Sequence, residues 1–493
     1  MTEKRGTLIK GGKVLKLGTE EISLEEEDIF LENGKISSIV KSGTSVSKEK
    51  SYDIIDARGQ LVMPGFVNAH NHSKSAITKM ARSKDNTNTI TALWYGIAHA
   101  MNRTPRELYV SALVNSIQML KTGTTSVVDQ FYEAGRVRVA DLGEIESVVN
   151  AYEDVGMRAL VALDMFDQKP KQILPRQIEK LPKLADQLFS RKMKSLEELE
   201  ELYHEAAARW HGSADGRIKV IPATPLPNRC SDDLLLLIDR LSSQYDTIST
   251  THVLEHKKGV ETAQSLWGRS EIEHLADIGV LSPRFCITHA VWVTDKDIDL
   301  IAKYGVSVLH CPELNIRLGG GVARVPEMIK AGVNVALGAD SATNQIMFDV
   351  MKLTGIVHRI DQEEPDSWVY ADQIVKMATE NGALALGMSN QIGSLEVGKD
   401  ADIVLLDLNS VWLNPLTDLA CRLVYFENGS SVDTVIVGGK IVVQKGKLLT
   451  IDEEAILQEA REIFYRLEDR NEELYQLADQ MSDILASEKI AGN

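Results

Sequence analysis

Cysteine is scarce in this chain of 493 residues, which has four: Cys230, Cys286, Cys311 and Cys421. They are scattered and none belongs to a C-x-x-C pair, so the sequence excludes a disulfide framework and a cysteine-rich metal site. We therefore expect each cysteine to be a small buried side chain.

Positive charge is also in short supply, because 54 Lys and Arg residues stand against 71 Asp and Glu residues, for a formal net charge of −17. This balance argues against a nucleic-acid partner or an anionic membrane, since both are bound by clustered Lys and Arg. It favours a small-molecule substrate.

Long apolar runs are missing as well. No window approaches the roughly 18 apolar residues of a membrane-spanning helix. The charged start MTEKRGTLIKGG is not followed by an apolar signal segment. We expect a protein that is soluble, cytoplasmic and without a membrane partner.

A repeated pattern fills the middle of the chain: an apolar strand, a polar loop and an amphipathic helix. Such units build parallel sheets. Because parallel neighbours need helical crossovers and a closed barrel leaves no exposed edge, the pattern predicts an α/β fold of the (β/α)8 TIM-barrel type. The eight predicted strands are residues 65–72, 125–131, 157–166, 218–225, 246–255, 285–293, 306–314 and 333–340.

The two ends of the chain have a different texture, with short β-rich runs separated by turn signals. We predict that residues 1–64 and 396–450 pair into one small β-sandwich domain. The barrel domain is then residues 65–395.

Two further segments predict helices. Residues 167–215 indicate helical additions inside the third barrel unit. The C-terminal segment, residues 451–493, contains one long amphipathic helix over 452–488, rich in charge and suited to packing on the outside of the barrel or on another subunit.

Several of the predicted barrel strands end in an imidazole or a carboxylate, and strand ends are where barrels keep their active sites. His70 and His72 are two residues apart on one strand, so both side chains point into the barrel. His252 on the fifth strand adds a third nitrogen donor. Asp340, on the eighth strand and beside the first, adds an oxygen donor. Together these residues predict a metal site, although each alone would be an ordinary structural residue.

Four segments carry a resemblance to a known family: the H-x-H of PGFVNAHNHS, the H-x-x-E of THVLE, ITHAVWVTDKDI and LGADSATN. In this order and spacing they resemble the amidohydrolase superfamily. The segments LHCPELNIRLGGGVARVPEMIKAGVNVALGAD and GSLEVGKDADIVLLDL look like the branch that contains 5′-methylthioadenosine/S-adenosylhomocysteine deaminase, guanine deaminase and the triazine hydrolases.

This resemblance implies one divalent metal ion, zinc or alternatively iron. The ion would be held by His70, His72, His252 and Asp340. The cation would lower the pKa of a bound water. Glu255 would move the proton of that water, His289 would orient the attacking oxygen, and Asp340 would pass a proton to the leaving group. The resemblance also implies a homodimer or a higher homo-oligomer, because members of the family usually form them.

Four side chains are candidates for the substrate pocket: Trp94 as an aromatic wall, Gln130 at the end of the second strand, and Glu313 with Asn315 after the seventh. A carboxylate from Glu313 would favour a cationic or amino-rich substrate. The nucleoside deaminases of the branch keep a ribose-binding glutamate where this chain has Ala100, so the resemblance does not extend to ribose recognition.

The predicted function is hydrolytic deamination of an amino-substituted N-heterocycle of purine, pterin or triazine type, with release of ammonia. Two alternatives stay open. The same site could cleave an amide, a urea-type C–N bond or a ring C–Cl bond. The fold could also serve a non-catalytic assembly protein, which would predict a decayed set of ligands, yet every ligand position is filled.

Overall fold

The strands of the protein form two sheets, in a computed structural model that describes residues 6–18, 21–44, 52–79, 82, 89–131, 138–169, 192–341, 344–360 and 363–491. In chain order the strands are β1 Gly6–Leu17, β2 Ile22–Glu32, β3 Lys35–Lys41, β4 Tyr52–Asp56, β5 Gln60–Pro64, β6 Phe66–Asn71, β7 Thr124–Asp129, β8 Arg158–Asp164, β9 Ile218–Thr224, β10 Ser249–Val253, β11 Phe285–His289, β12 Ser307–His310, β13 Val335–Leu337, β14 Ile403–Asp407, β15 Val432–Val437, β16 Lys440–Gln444 and β17 Lys447–Leu448.

Helices connect the strands and form the C-terminal segment. They are α1 Thr89–Ala100, α2 Pro105–Lys121, α3 Leu142–Val155, α4 Leu196–Trp210, α5 Ser213–Gly216, α6 Asp232–Gln244, α7 Lys257–Trp267, α8 Glu271–Ile278, α9 Asp295–Tyr304, α10 Pro312–Arg317, α11 Val325–Lys330, α12 Met347–Val357, α13 Ala371–Met377, α14 Glu380–Ala385, α15 Leu419–Tyr425, α16 Glu453–Arg470 and α17 Glu472–Ala491. Within the described residues, none of these helices has the length and apolar character needed to cross a membrane.

The eight predicted barrel strands all form, and they are β6 to β13. They lie side by side in chain order, and each neighbouring pair is parallel. β6 and β13 meet through a parallel bridge between Asn71 and Asp340, and the N–H of Asp340 donates to the carbonyl of His70 at 2.9 Å. The sheet is therefore a nearly closed barrel, which confirms the predicted fold class.

Alternate residues of the barrel strands point to the two sides of the sheet. Val128, Leu160 and Ala162 belong to the buried cluster inside the barrel, whereas Val127 and Val161 pack outward against the helices. This period of two places the next inward side chains at the C-terminal rim, where the barrel opens.

The two ends of the chain pair into one small domain, as predicted. β14 lies antiparallel to β5, and the strand order is β17-β16-β15-β14-β5-β1-β2-β3. A β-bulge between Ile9 and Gly12 bends β1, so β4 pairs with its first half and β5 with its second half on the same edge. Ile9, Val14 and Ile29 belong to a separate buried core between the resulting faces.

The seventh strand is shorter than the predicted 306–314. β12 ends at His310, and Pro312 begins α10. Proline has no N–H for a strand ladder, but its fixed φ suits the first turn of a helix. Glu313 and Asn315 consequently lie on a short helix.

The single helix predicted over 452–488 was also wrong in extent, since α16 and α17 meet at Asn471. The amide of Asn471 donates to the carbonyls of Ala98 and Met101 at 2.8 and 3.0 Å. The break therefore docks the C-terminal segment on α1 of the same chain, outside the barrel. Of the helical additions predicted over 167–215, α4 is present, and residues 170–191 lie outside the described residues.

Arg158 joins the N-terminal end of the barrel to the small sheet. It is 1% exposed and donates to Asp402 at 2.8 and 3.1 Å and to Asp400 at 3.0 Å. Asp402 also accepts the N–H of Gly438, in the turn between β15 and β16, at 2.8 Å. Because these charges are out of water, removing one partner leaves a buried charge without its counter-ion.

We expect Arg158→Met to destabilise the protein by about 3–5 kcal/mol, because it leaves the buried Asp402 carboxylate unpaired. Arg209→Met is the matched control, since Arg209 pairs with Glu205 on an exposed face of α4, where an ion pair contributes about 0–1 kcal/mol. Urea unfolding followed by tryptophan fluorescence measures both variants. Equal shifts of the two unfolding midpoints would contradict the role given to Arg158.

Candidate metal centre and active site

Three imidazoles meet at the C-terminal rim of the barrel. His70 and His72 come from the end of β6, and His252 comes from β10. The Nε2 atom of His72 lies 3.1 Å from Nε2 of His70 and 3.3 Å from Nε2 of His252. All three side chains are at most 1% exposed. The structure thus brings the three predicted nitrogen donors to one point.

Hydrogen bonds behind two of these rings decide which nitrogen faces the others. Nδ1 of His72 lies 2.7 Å from the carbonyl oxygen of Gln130, and Nδ1 of His252 lies 2.8 Å from that of Pro225. Because a carbonyl oxygen only accepts, each Nδ1 carries a proton, and in the neutral form of each ring Nε2 then presents a lone pair. Lone pairs that face one another at 3.3 Å repel unless a cation lies between them.

Asp340 brings a carboxylate to the same point. Its Oδ1 is 3.5 Å from Nε2 of His72, and its Oδ2 is 3.9 Å from Nε2 of His70 and 3.7 Å from Nε2 of His289. The ligand atoms of His70, His289 and Asp340 lie within 4.8 Å of one another. The backbone of Asp340 has φ 64°, a left-handed conformation that costs a non-glycine residue free energy and recurs at functional sites.

This donor set suits a divalent cation. Burial, with the neighbouring imidazoles adding to it, holds the pKa of His70 well below its usual value, so the ring is neutral and can ligate. Three neutral imidazoles and one carboxylate are ligands that zinc and similar metals prefer. The metal would be held by His70, His72, His252 and Asp340.

Glu255 and His289 lie beside these ligands. Oε2 of Glu255 is 3.9 Å from Nε2 of His289, and the Glu255 side chain is 14% exposed. The backbone turns sharply at both places, with φ 48° at Leu254 and φ 73° at His289. The buried Glu271 accepts the N–H of Leu254 at 2.9 Å and so holds the first of these turns. The Glu255 carboxylate is therefore aimed at the rim, where a substrate can reach it.

Sequence reasoning missed Asp129, which holds the turn after β6. This buried carboxylate accepts from Nδ2 of Asn71 at 3.1 Å, from the N–H of Ser73 at 2.9 Å and from the hydroxyl of Tyr152 at 2.8 Å. Burial raises the pKa of Asp129 to about 6, although these hydrogen bonds oppose the rise. A signal was available, because Asp129 lies in the C-terminal part of the predicted second strand, 125–131, and Asp340 ends the predicted eighth strand, 333–340.

The side-chain amides of Asn68 and Gln345 link the first and eighth strands behind Asp340. Nothing in the sequence pattern marked either residue. Asn68 accepts the N–H of Ala339 at 2.9 Å and donates to Oε1 of Gln345 at 3.1 Å. Gln345 in turn donates to the carbonyl of Asp340 at 2.9 Å. An amide on a strand or in a loop is an ordinary polar residue until the first and eighth strands are brought together.

The predicted pocket residues lie in different surroundings. Gln130 is buried at the rim, and Asn315 is 1% exposed with no hydrogen bond from its side-chain nitrogen or oxygen to any described residue. Glu313 is half-buried, and burial raises its pKa although Arg317, 3.7 Å away, opposes the rise. Trp94 is buried in the apolar cluster between α1 and α17. Their roles in substrate binding stay predictions.

A nearly closed βα barrel with a histidine–carboxylate cluster at its C-terminal mouth defines the class of metal-binding TIM-barrel hydrolases. The amidohydrolase family matches residues 61–442. The chain belongs to this family, as its sequence motifs predicted, and it is a hydrolase.

Individual relatives agree with this assignment. A 5-methylthioadenosine/S-adenosylhomocysteine deaminase of Thermococcus sibiricus is 32% identical over 444 residues, which cover 88% of this chain and 93% of that protein. A 5′-deoxyadenosine deaminase of Methanosarcina acetivorans is 31% identical over 458 residues, covering 92% and 96%. The zinc-bound crystal structure of an adenosine deaminase from Xanthomonas campestris has a TM-score of 0.80 at 24% identity, covering 94% of this chain and 98% of the other, and shows the fold alone.

We expect His72→Asn and His252→Asn to lose the metal that copurifies with the wild-type protein, because each removes one lone pair from the cluster. His274→Asn is the matched control, since His274 pairs with Asp232 at 2.9 Å on the helical layer. Thr288→Val, which removes the hydroxyl 3.3 Å from Nδ1 of His70, should lower metal affinity about tenfold. Elemental analysis and chelator competition measure these effects, and full metal content in both ligand variants would refute the site.

Proposed function

We propose that this chain is a zinc-dependent hydrolytic deaminase that removes ammonia from an amino-substituted N-heterocycle, with an adenine ring as the leading candidate. The observation that carries the proposal is the placement of Glu255, His289 and Asp340 around one point on the rim, next to three neutral imidazoles. The two relatives named as deaminases of adenosine derivatives support the choice of ring. Fe²⁺ is the alternative ion.

A divalent cation bound by the three histidines and Asp340 would supply Lewis acidity toward water. Glu255 can hold a proton taken from the attacking water and deliver it to the ring nitrogen beside the carbon under attack. His289, with Nε2 3.9 Å from the Glu255 carboxylate and 3.7 Å from that of Asp340, can donate to the attacking oxygen. The Asp340 carboxylate can accept the second proton and pass it to the leaving amine, which departs as ammonia.

Two residues support recognition of the ring over the sugar. Asn315 has an amide whose donors and acceptor make no hydrogen bond to the described residues, so it can pair with a ring edge. Ala100, at the end of α1, is 4% exposed and offers only a methyl group. Arg317 lies 3.7 Å from the Glu313 carboxylate and offsets its charge, which disfavours the recognition of a cationic substrate by Glu313.

Three further features belong to this proposal. We propose one metal ion per chain, because Nε2 of His72 lies beside Nε2 of His70, Nε2 of His252 and Oδ1 of Asp340. We also propose a homodimer or higher homo-oligomer and a cytoplasmic location. Size-exclusion chromatography with light scattering measures the oligomeric state directly.

We expect the enzyme to release ammonia from at least one of five substrates: adenine, adenosine, 5′-methylthioadenosine, an aminopterin and an amino-triazine. One molecule of ammonia should be released for each molecule of substrate consumed. Comparison of adenine with adenosine tests how much the sugar contributes. The same panel includes an anilide, an arylurea and a chloro-triazine. Rejection of all the aminated rings with turnover of one of these three would replace the deaminase by another hydrolase on the same site.

Glu255→Gln should lower kcat by about 10²–10⁴, because the amide cannot carry the proton, while metal content stays at the wild-type value. Glu261→Gln is the matched control, since Glu261 is exposed on α7 and pairs only with Lys258 among the described residues. Steady-state kinetics with metal analysis on the same samples separates the two effects. A kcat within threefold of wild type in the Glu255 variant would remove this residue from the proton transfer.

A further inference from the structure

The Gln130 side chain is held in one orientation. Its Nε2 donates to Oδ1 of Asp164 at 2.5 Å and to the carbonyl oxygen of Thr224 at 3.2 Å. Gln130 is fully buried and Asp164 is 2% exposed. A primary amide has two N–H donors, and here both of them are directed to oxygen acceptors. The amide cannot turn over without losing both hydrogen bonds, so Oε1 is fixed on the opposite side.

This oxygen lies on the rim of the metal centre. Val128, two residues earlier, points into the barrel, so the period of two points Gln130 inward as well. The backbone carbonyl of Gln130 accepts a hydrogen bond from His72. The other acceptor of the Gln130 amide, Thr224, is followed by Pro225, whose carbonyl accepts a hydrogen bond from His252. The side chain therefore lies between the supports of two metal ligands.

Oε1 of Gln130 makes no hydrogen bond to any described residue. A buried acceptor without a partner is unfavourable, so it is a place where a bound ligand gains affinity by donating a hydrogen bond. Because both amide N–H groups are used, the pocket meets an acceptor alone at this point. A ligand atom that carries only lone pairs is disfavoured there.

We propose that Oε1 of Gln130 accepts a hydrogen bond from the exocyclic amino group of the substrate and so selects an amine over a chlorine or ether oxygen at the reacting carbon. This inference rests on the proposed deaminase function. Asp164 is a positioning residue, because its carboxylate accepts from Nε2 and keeps the oxygen turned to the substrate. The metal and the proton-transfer residues suit several leaving groups. Gln130 and Asp164 together restrict the site to amines.

The test compares kcat/KM for the aminated ring that the wild-type enzyme turns over fastest with kcat/KM for the same ring carrying chlorine in place of the reacting amino group. Gln130→Met keeps the length of the side chain but removes the acceptor, so the amino-to-chloro ratio should fall about tenfold. Metal content should stay at the wild-type value, because the backbone carbonyl that holds His72 is unchanged. Gln458→Met, at an exposed position on α16, is the matched control and keeps the wild-type ratio.

Asp164→Asn gives an independent measurement that does not alter Gln130. An asparagine amide can donate to Oε1, so the glutamine amide can turn and present Nε2, and the amino-to-chloro ratio should again fall. A merely structural role would lower both rates in parallel and leave the ratio unchanged.

The possible failures are distinguishable. If the wild-type enzyme turns over none of the aminated rings, the proposed function fails and this inference fails with it. If the wild-type enzyme deaminates but both metal-loaded variants keep its amino-to-chloro ratio, the inference alone is overturned. Thermal unfolding of each variant, compared with wild type, identifies any that has lost its fold, and the ratio is then read from the other.

Discussion

Asp340 reaches the histidines of β6 only because β13 lies beside β6 at the closure of the barrel. The bridge to Asn71, the N–H of Asp340 on the carbonyl of His70, and the Asn68–Gln345 amide pair all act at this seam. An open sheet would leave the first and eighth strands at opposite edges, with the carboxylate far from the imidazoles. The metal centre, and every group arranged around it, therefore depends on closure between strands that are more than 260 residues apart in the chain.

Burial accounts for the charge state of the histidines in this centre. Neutral imidazoles avoid the cost of burying three positive charges, and the low pKa of His70 follows from the same desolvation. Backbone carbonyls behind His72 and His252 then set which nitrogen of each ring faces inward. The strained backbone at Leu254 and Asp340 persists because hydrogen bonds across the rim hold it.

Several parts of the fold and the site follow from local pattern. The period of two placed His70 and His72 on one face, and the strand–loop–helix repeat predicted all eight barrel strands. Prediction was weakest where distant segments meet. The amphipathic pattern of the C-terminal segment shows an apolar face without showing which surface that face covers. In the structure α17 shares an apolar cluster with Trp94, whose role in the substrate pocket stays a prediction. The break at Asn471 depends on carbonyls of α1, so no local signal marked it.

The sequence by itself determined the family, the barrel and which imidazoles and carboxylate come from the ends of its strands, because each of these depends on residue type and on short, regular spacing. Only the tertiary structure decided which ring nitrogen of His72 and His252 faces the centre, how the barrel closes behind Asp340, and that the amide of Gln130 presents an oxygen. The physical reason is that a hydrogen bond is directional and needs both partners in place. Those partners come from strands and loops that the chain brings together only when it folds.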